Sequence, residues 1–465
     1  MEKQKRGSFT GNIGFILAAA GSAVGLGNIW RFPYLAAKGG GGVFLLCYLV
    51  LALTFGFTLL TTEIAIGRKT GQSPLTAYSV IHHKMKWLGV IACIIPAMIL
   101  PYYSAIGGWV LKYLYTYITG GAHAAISDTY FTDFITSVGS PIVWFLVFLT
   151  LTTVIVYMGV DTGIEKFSKV LMPILLILII AISVFSLSLT HTDDSGVTRT
   201  GMQGFLVYVV PNFKGMTLTR FLTILMDAMG QLFYSISVAM GIMIAYGSYV
   251  KKEINLVKSV NRIELFDTIV AFLAGMMIVP AVYTFTGTEG MKAGPSLMFI
   301  SLPKIFGAMG KLGIIIGIVF FIMVAFAAIT SSVSIMEAVV SSVIDKFNIS
   351  RKRATIYVAI LAAILGLFVC LGYNVLYFDL ELPNGTVGQI LDLFDYISNF
   401  VLMPLVAITT CILIGWIKKP QTVIDEITIG GVKFSREKLY VVMIKYITPV
   451  MLLFLLLQAL GLIKF

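Results

Sequence analysis

Apolar residues run along this chain in long blocks broken by short polar clusters. Blocks of about 20 residues match the hydrocarbon thickness of a bilayer. They predict eleven spans, near 12–37, 42–66, 88–118, 141–158, 168–190, 220–248, 264–286, 307–343, 353–373, 391–416 and 441–463. The expected class is an all-α polytopic membrane protein, one domain over 1–465. The first span, within Gly11–Val43 (GNIGFILAAAGSAVGLGNIWRFPYLAAKGGGGV), holds Gly21, Gly25, Gly27, Asn28, Arg31 and Pro33. Glycine inside a helix costs about 1 kcal/mol relative to alanine. In lipid, backbone that leaves a helix is tolerated only where protein or a cavity surrounds it. The freed amides and carbonyls can then hold ions and a carboxylate near the membrane midplane. A packing face between helices would account for the glycines but not for Asn28 and Arg31.

The sixth span repeats the disturbance at GQLFYSISVAMG (Gly230–Gly241), and Pro96 and Pro101 interrupt the third just before Tyr102 and Tyr103. Prolines are tolerated in membrane helices, so that interruption alone proves little. Two broken spans separated by four intact ones match a pair of inverted repeats, 12–190 and 220–416, with the binding site between them. The span 441–463 is then an accessory helix. Loops 191–219 and 287–306 are long enough to cover an outer mouth, and 419–440 is a polar inner segment.

Composition sharpens this reading. Hydrophobic residues make up 58% of the chain and charged ones 12%, which excludes a soluble protein. The net charge of +11 is dealt out in small clusters between spans, a topology signal and not a nucleic-acid footprint. Lys3, Lys5 and Arg6, then Arg68 and Lys69, Lys251 and Lys252, and Arg351, Lys352 and Arg353 fall on one side. That side is cytoplasmic by the positive-inside rule, so the N-terminus is inside and eleven crossings put the C-terminus outside, in a cell membrane. No cleavable signal is evident. The four cysteines lie in apolar stretches without ligand spacing and read as buried thiols.

Ionisable and amide side chains inside spans need a reason. Asn28 and Asp267 are hard oxygen ligands suited, with free carbonyls, to a small cation. Asp267 could instead be an interfacial charge near the end of its span. Thr330, Ser331, Ser332 and Ser334 form a hydroxyl run that could serve an ion or bond back to the preceding turn. Glu63 suits amides freed by a broken helix, and Glu337 is a further buried charge. No nucleophile elbow, metalloprotease motif or phosphate loop is present, so an enzyme is unsupported.

The string GSAVGLGNIWRFPYLAAKGGGG, with PYYSAIGGW, GQLFYSISVAMG, AITSSVSIM, LDLFDYISN and KYITPVMLL, resembles the neurotransmitter:sodium symporter family over nearly the whole chain. Its prokaryotic eleven-span branch includes the bacterial leucine transporter. The resemblance implies sodium-driven uptake of amino acids or amines. By position, it implies a first sodium site from the Ala23 carbonyl, Asn28, Ser235, Asp267 and the substrate carboxylate. It implies a second from carbonyls of Gly21, Val24 and Ala327 with the Thr330 and Ser331 hydroxyls. The substrate carboxylate would meet amides near Leu26 and Gly27 and the Tyr103 hydroxyl. The amino group would meet carbonyls of Ala23, Tyr234 and Ser235 and the Ser237 hydroxyl. The side chain would face Ile99, Tyr234, Met240, Ser331 and Ile335. Gly25 stands where amine carriers have an aspartate, which implies an amino acid with its own carboxylate. The apolar lining implies a neutral, hydrophobic or aromatic one.

Two departures implicate anions. Asp267 replaces an asparagine and Ala271 a chloride-holding serine, so a fixed carboxylate is expected to make chloride unnecessary. The resemblance also implies gates: Arg31 with Asp395 on the outside, and Arg6, Tyr249 and Asp345 packed with Phe9 inside. The implied partners are an amino-acid substrate, sodium and the lipid bilayer, with monomer or homodimer left open. A sodium-linked sensor, or a passive uniporter or channel on the same scaffold, remains the alternative.

Overall fold

The computed structural model describes residues 7–193, 195–291 and 294–463. Its principal helices in the first half are α1 (Asn12–Ala23), α2 (Gly27–Lys38), α3 (Gly42–Thr70), α4 (His83–Ile118), α5 (Gly139–Met158) and α6 (Val160–Leu187), with shorter ones at Pro74–Ile81, Ala122–Ala125 and Tyr130–Thr136. Two short strands, β1 (Thr190–Thr192) and β2 (Thr198–Thr200), pair antiparallel and lead into α7 (Gly201–Val209). Then come α8 (Leu218–Ser235), α9 (Ile242–Gly247), α10 (Leu256–Thr286), α11 (Leu297–Ala308), α12 (Lys311–Phe347) and α13 (Arg351–Leu371). A second hairpin, Leu380–Glu381 with Val387–Gly388, precedes α14 (Ile390–Ile417), α15 (Gln421–Ile427) and α16 (Glu437–Ala459).

Among the described residues nine helices are long and apolar enough to cross a membrane, ten if the α1–α2 pair is one span. That pair is bent by 53°. Pro33 follows a π turn, Gly27–Arg31, whose wider backbone accommodates the missing proline amide and the bulk of its ring. The α8–α9 pair is separated by residues 236–241, where Ser237 (φ 55), Ala239 (φ 62) and Gly241 (φ 76) turn left-handed. Such angles cost a non-glycine residue about 1–2 kcal/mol, so surrounding contacts must hold them.

Each broken pair opens a set of five, the first closing with α6 and the second with α14. An odd number of crossings returns the chain to the opposite face, so the second set runs inverted. This is a 5+5 inverted-repeat architecture with discontinuous helices, and α16 lies outside it. One expected interruption and several boundaries are corrected, the fifth span opening at Val160 and not at 168, and the seventh at Leu256 and not at 264. The helix α4 runs unbroken through Pro96 and Pro101, as buried membrane helices allow. The eighth span starts at Lys311 and not at 307, because Gly310 (φ 64) ends the turn after α11.

The broken helices lie at the centre. Nine residues of α1 are buried, Gly14 to Ala23 save Leu17, whereas α6 keeps Ile177 65% and Val184 59% exposed for lipid. A helix apolar all round belongs inside. The two breaks face each other: Gln231 Nε2 donates to the Gly27 carbonyl at 3.1 Å, and Ser237 Oγ to the Ser22 carbonyl at 3.0 Å.

Candidate functional site

Leaving the helix at Val24 (ψ 95) frees carbonyls at the end of α1, and restarting at Gly27 leaves amides at the head of α2. A helix start carries partial positive charge, an end partial negative. The gap between them therefore accepts an anion on one side and cations on the other.

The residues expected at a first ion site gather around Asp267, 1% exposed, and Asn28, fully buried. Asn28 Nδ2 donates to Asp267 Oδ1 at 3.0 Å, and Ser235 Oγ donates to the same oxygen at 2.7 Å. Asn28 Oδ1 lies 3.2 Å from Ser235 Oγ and accepts the Gly25 amide at 3.3 Å. Asp267 is thus inside the protein, not at an interface. Tyr48 completes its shell, donating to Oδ2 at 3.2 Å. Tyr48 was not legible in the sequence, being one tyrosine among many in an apolar helix. Ala271 is also fully buried.

Among the residues expected at a second ion site, Ser331 Oγ stands 3.3 Å from the Gly21 carbonyl, 3.2 Å from Ser22 and 3.2 Å from Val24. A hydroxyl has one proton, so it satisfies one of these carbonyls and leaves the others facing an oxygen. Thr330 Oγ1 is 3.1 Å from the Ala327 carbonyl and 3.0 Å from Phe326. Such a cluster of neutral oxygens suits a small monovalent cation. The hydroxyl run divides by role. Ser334 bonds back to Thr330 and accepts Tyr246, Ser332 accepts Thr152, and Ser331 crosses to α1.

Between these clusters lies a cavity of about 30 Å³. It is lined by Ala23, Gly25, Leu26, Gly27, Ile99, Tyr103, Tyr234, Ser235, Ser237, Met240, Ser331 and Ile335, with Ser22 and Asn28. All twelve residues expected around a substrate converge there. Ser22, whose hydroxyl is 3.0 Å from that of Ser237, was missed. The Leu26 amide points at the Tyr103 hydroxyl, 3.5 Å away. A Cβ on Gly25 would sit 2.9 Å from Ser331 Oγ and 3.1 Å from the Tyr103 hydroxyl, so a side chain there would fill the space between them. On Gly27 it would meet the Tyr234 ring at 3.1 Å.

A larger cavity of about 430 Å³ adjoins on the side of Arg31, Asp227, Asn384 and Gln458, apart from the Asp267 and Ser331 clusters, and has the shape of a vestibule. Tyr234 lines both cavities and is the partition between them. The expected direct pairing of Arg31 with Asp395 is not formed. Asp395 accepts Tyr102 at 3.0 Å and Asn399 at 2.5 Å, while the Arg31 guanidinium stands 5.8 Å from the centre of the Phe400 ring. Competing donors hold the carboxylate, and the arginine faces the vestibule.

On the opposite face Phe9 is fully buried against Phe15, Tyr246 and Tyr249, and its amide donates to the Tyr249 carbonyl at 3.2 Å. Asp345 Oδ2 accepts the Ser73 amide at 2.6 Å. Arg6 lies outside the described residues. Glu337 finds a partner that sequence spacing did not announce. Arg351 grips it through two nitrogens, each at 2.7 Å, and Tyr249 donates to it at 2.6 Å. Glu63 accepts the Ala239 amide at 2.6 Å, anchoring the second break.

The sequence profile of the "Sodium:neurotransmitter symporter family" matches residues 6–133 and 126–464. The chain belongs to this family. It is therefore a secondary transporter and not a catalyst. Among similar proteins, the uncharacterized sodium-dependent transporter YhdH of Bacillus subtilis is 32% identical over 476 residues, the full length of both chains. An uncharacterized sodium-dependent transporter of Methanocaldococcus jannaschii is 33% identical across 90% of this chain and 83% of its own. The crystal structure of MhsT in complex with L-phenylalanine superposes with a TM-score of 0.84 at 33% identity, covering 98% of this symporter and all of MhsT. The human sodium- and chloride-dependent GABA transporter 2 is 27% identical over 91% of this chain and 75% of its own.

Proposed function

We propose that the protein couples an inward sodium gradient to uptake of a neutral, hydrophobic or aromatic amino acid by alternating access. The observation carrying this reading is the convergence of two oxygen clusters and a helix start on one cavity between the broken helices. The likeness to MhsT, solved with L-phenylalanine, supports the substrate class. The first sodium would sit among Ala23, Asn28, Ser235 and Asp267, and the second among Gly21, Val24, Ala327, Thr330 and Ser331. The substrate carboxylate would lie against the Leu26 and Gly27 amides and Tyr103, close enough to complete the first site. Filling either site then builds part of the other, which is a coupling free energy between ion and substrate.

Asp267 would supply the negative charge that makes chloride unnecessary. Tyr234 would close the substrate from the vestibule, with Arg31 and Asp395 at its mouth. Phe9, Tyr249, Asp345, Arg6 and the Glu337–Arg351 pair would close the other face. Counting α8 and α9 as one span gives eleven crossings, with the basic loops and N-terminus cytoplasmic and the C-terminus outside. The repeats would run over 12–190 and 220–416, with 441–463 accessory.

Radioligand binding to the purified protein tests the shared ligand. Phenylalanine should bind only when sodium is present, and phenethylamine, which lacks the carboxylate, should not bind at all. Sodium-independent phenylalanine binding, or equal binding of the amine, counts against it.

A further inference from the structure

The helix α1 is tied at both ends, and one of the ties lies outside the ion sites. At its far end it offers carbonyls of Gly21 and Val24. At its near end it meets a buried carboxylate. Glu165, 1% exposed, closes the π turn Val160–Glu165 that opens α6. Its Oε2 accepts the Thr10 amide at 2.8 Å, and its Oε1 accepts the Thr10 hydroxyl. Lys169 Nζ pairs with Oε1 at 2.6 Å and reaches Thr10 Oγ1 at 3.4 Å. The fit depends on Gly14, where an added Cβ would lie 2.1 Å from Oε1. A buried carboxylate with charged and backbone donors is held strongly and is costly to strand.

The location gives the tie a consequence. A Cβ on Gly21 would meet Met172 of α6 at 3.1 Å and Thr330 at 3.2 Å, so α6 covers one flank of the second ion site. Separating α1 from α6 uncovers those oxygens. The opening turn of α6 is π-helical and follows Gly159 at φ 107, backbone suited to a change of shape. We infer that Glu165 is a positioning residue that latches α1 to α6, and that its release of Thr10 lets the second sodium site open toward the N-terminal face. The inference rests on the alternating-access reading above.

Hydrogen exchange of the intact protein in detergent, with saturating sodium and phenylalanine, reads the latch at the amides of residues 9–16. In Glu165→Gln, exchange there should rise about tenfold, the scale of losing a hydrogen bond to a charged group, while residues 355–365 of α13 stay unchanged. In proteoliposomes the same variant should raise the apparent KM for sodium with the maximal rate kept within about twofold. Glu165→Asp should restore part of the protection. Gly14→Ala, whose methyl collides with the carboxylate, should reproduce the faster exchange without altering a charge, and it carries the test if Glu165→Gln does not fold. Wild-type exchange at 9–16 in both Glu165→Gln and Gly14→Ala would overturn the latch. If the wild-type protein shows no sodium-driven uptake, the transport reading falls, while the exchange comparison still tests the latch by itself.

Discussion

Three residues carry most of the proposed chemistry. Asp267 sits in a closed shell of Asn28, Ser235 and Tyr48, so its carboxylate has a fixed address beside the cavity between the broken helices. Asp267→Asn removes that charge and leaves the shell. Uptake should then be crippled or come to require chloride, and transport measured in gluconate and in chloride decides between this and an inert substitution. Gly25→Asp would place a carboxylate between Ser331 and Tyr103. Phenylalanine binding should be lost, and an amine without a carboxylate should compete better than before; unchanged phenylalanine affinity would contradict the assigned pose. Ser331→Ala removes the hydroxyl that reaches across to α1. Apparent sodium affinity should drop about tenfold in sodium-titrated binding, whereas Ser332→Ala should leave it alone. Asn28, Asp267 and Gly25 were legible because a polar side chain or glycine is conspicuous in an apolar run. Tyr48 and Ser22 were not, since tyrosine and serine are ordinary there and only three-dimensional proximity gives them a role.

At the scale of elements, the breaks themselves were readable and their anchors only partly so. Glycines and serines at 21–28 and 230–241 marked where the helices fail. Pro96 and Pro101 marked nothing, because α4 absorbs both without a break. Glu63 was expected to hold freed amides, and it holds that of Ala239 across a separation of 176 residues. The partner of Glu337 was invisible: Arg351 lies at the start of the next helix and no local rule pairs them. Arg351→Met strands a fully buried carboxylate, and breaking such a pair costs about 3–5 kcal/mol. Thermal unfolding in detergent should show a large drop for Arg351→Met and a smaller one for the double variant Glu337→Met/Arg351→Met. Equal losses would mean the pair contributes by packing alone.

For the whole molecule, the spacing of broken and intact spans carried the architecture, because a bilayer permits few alternatives. The residues expected at the gates were harder to read, since their partners come from elements distant in the chain. In this conformation Arg31 faces the vestibule and Asp395 is held by Tyr102 and Asn399, while the opposite face is packed around Phe9. The proposed orientation predicts that a C-terminal tag is reached by antibody on intact cells and an N-terminal one only after permeabilisation. In the proposed cycle, sodium moving inward drives the amino acid inward. Uptake of labelled phenylalanine and a mixed amino-acid panel into proteoliposomes, with and without an inward sodium gradient, tests it most directly. Sodium-coupled symport predicts accumulation above the outside concentration that collapses when the sodium gradient is removed. Equilibration that ignores sodium, or sodium-dependent binding without accumulation, would contradict it.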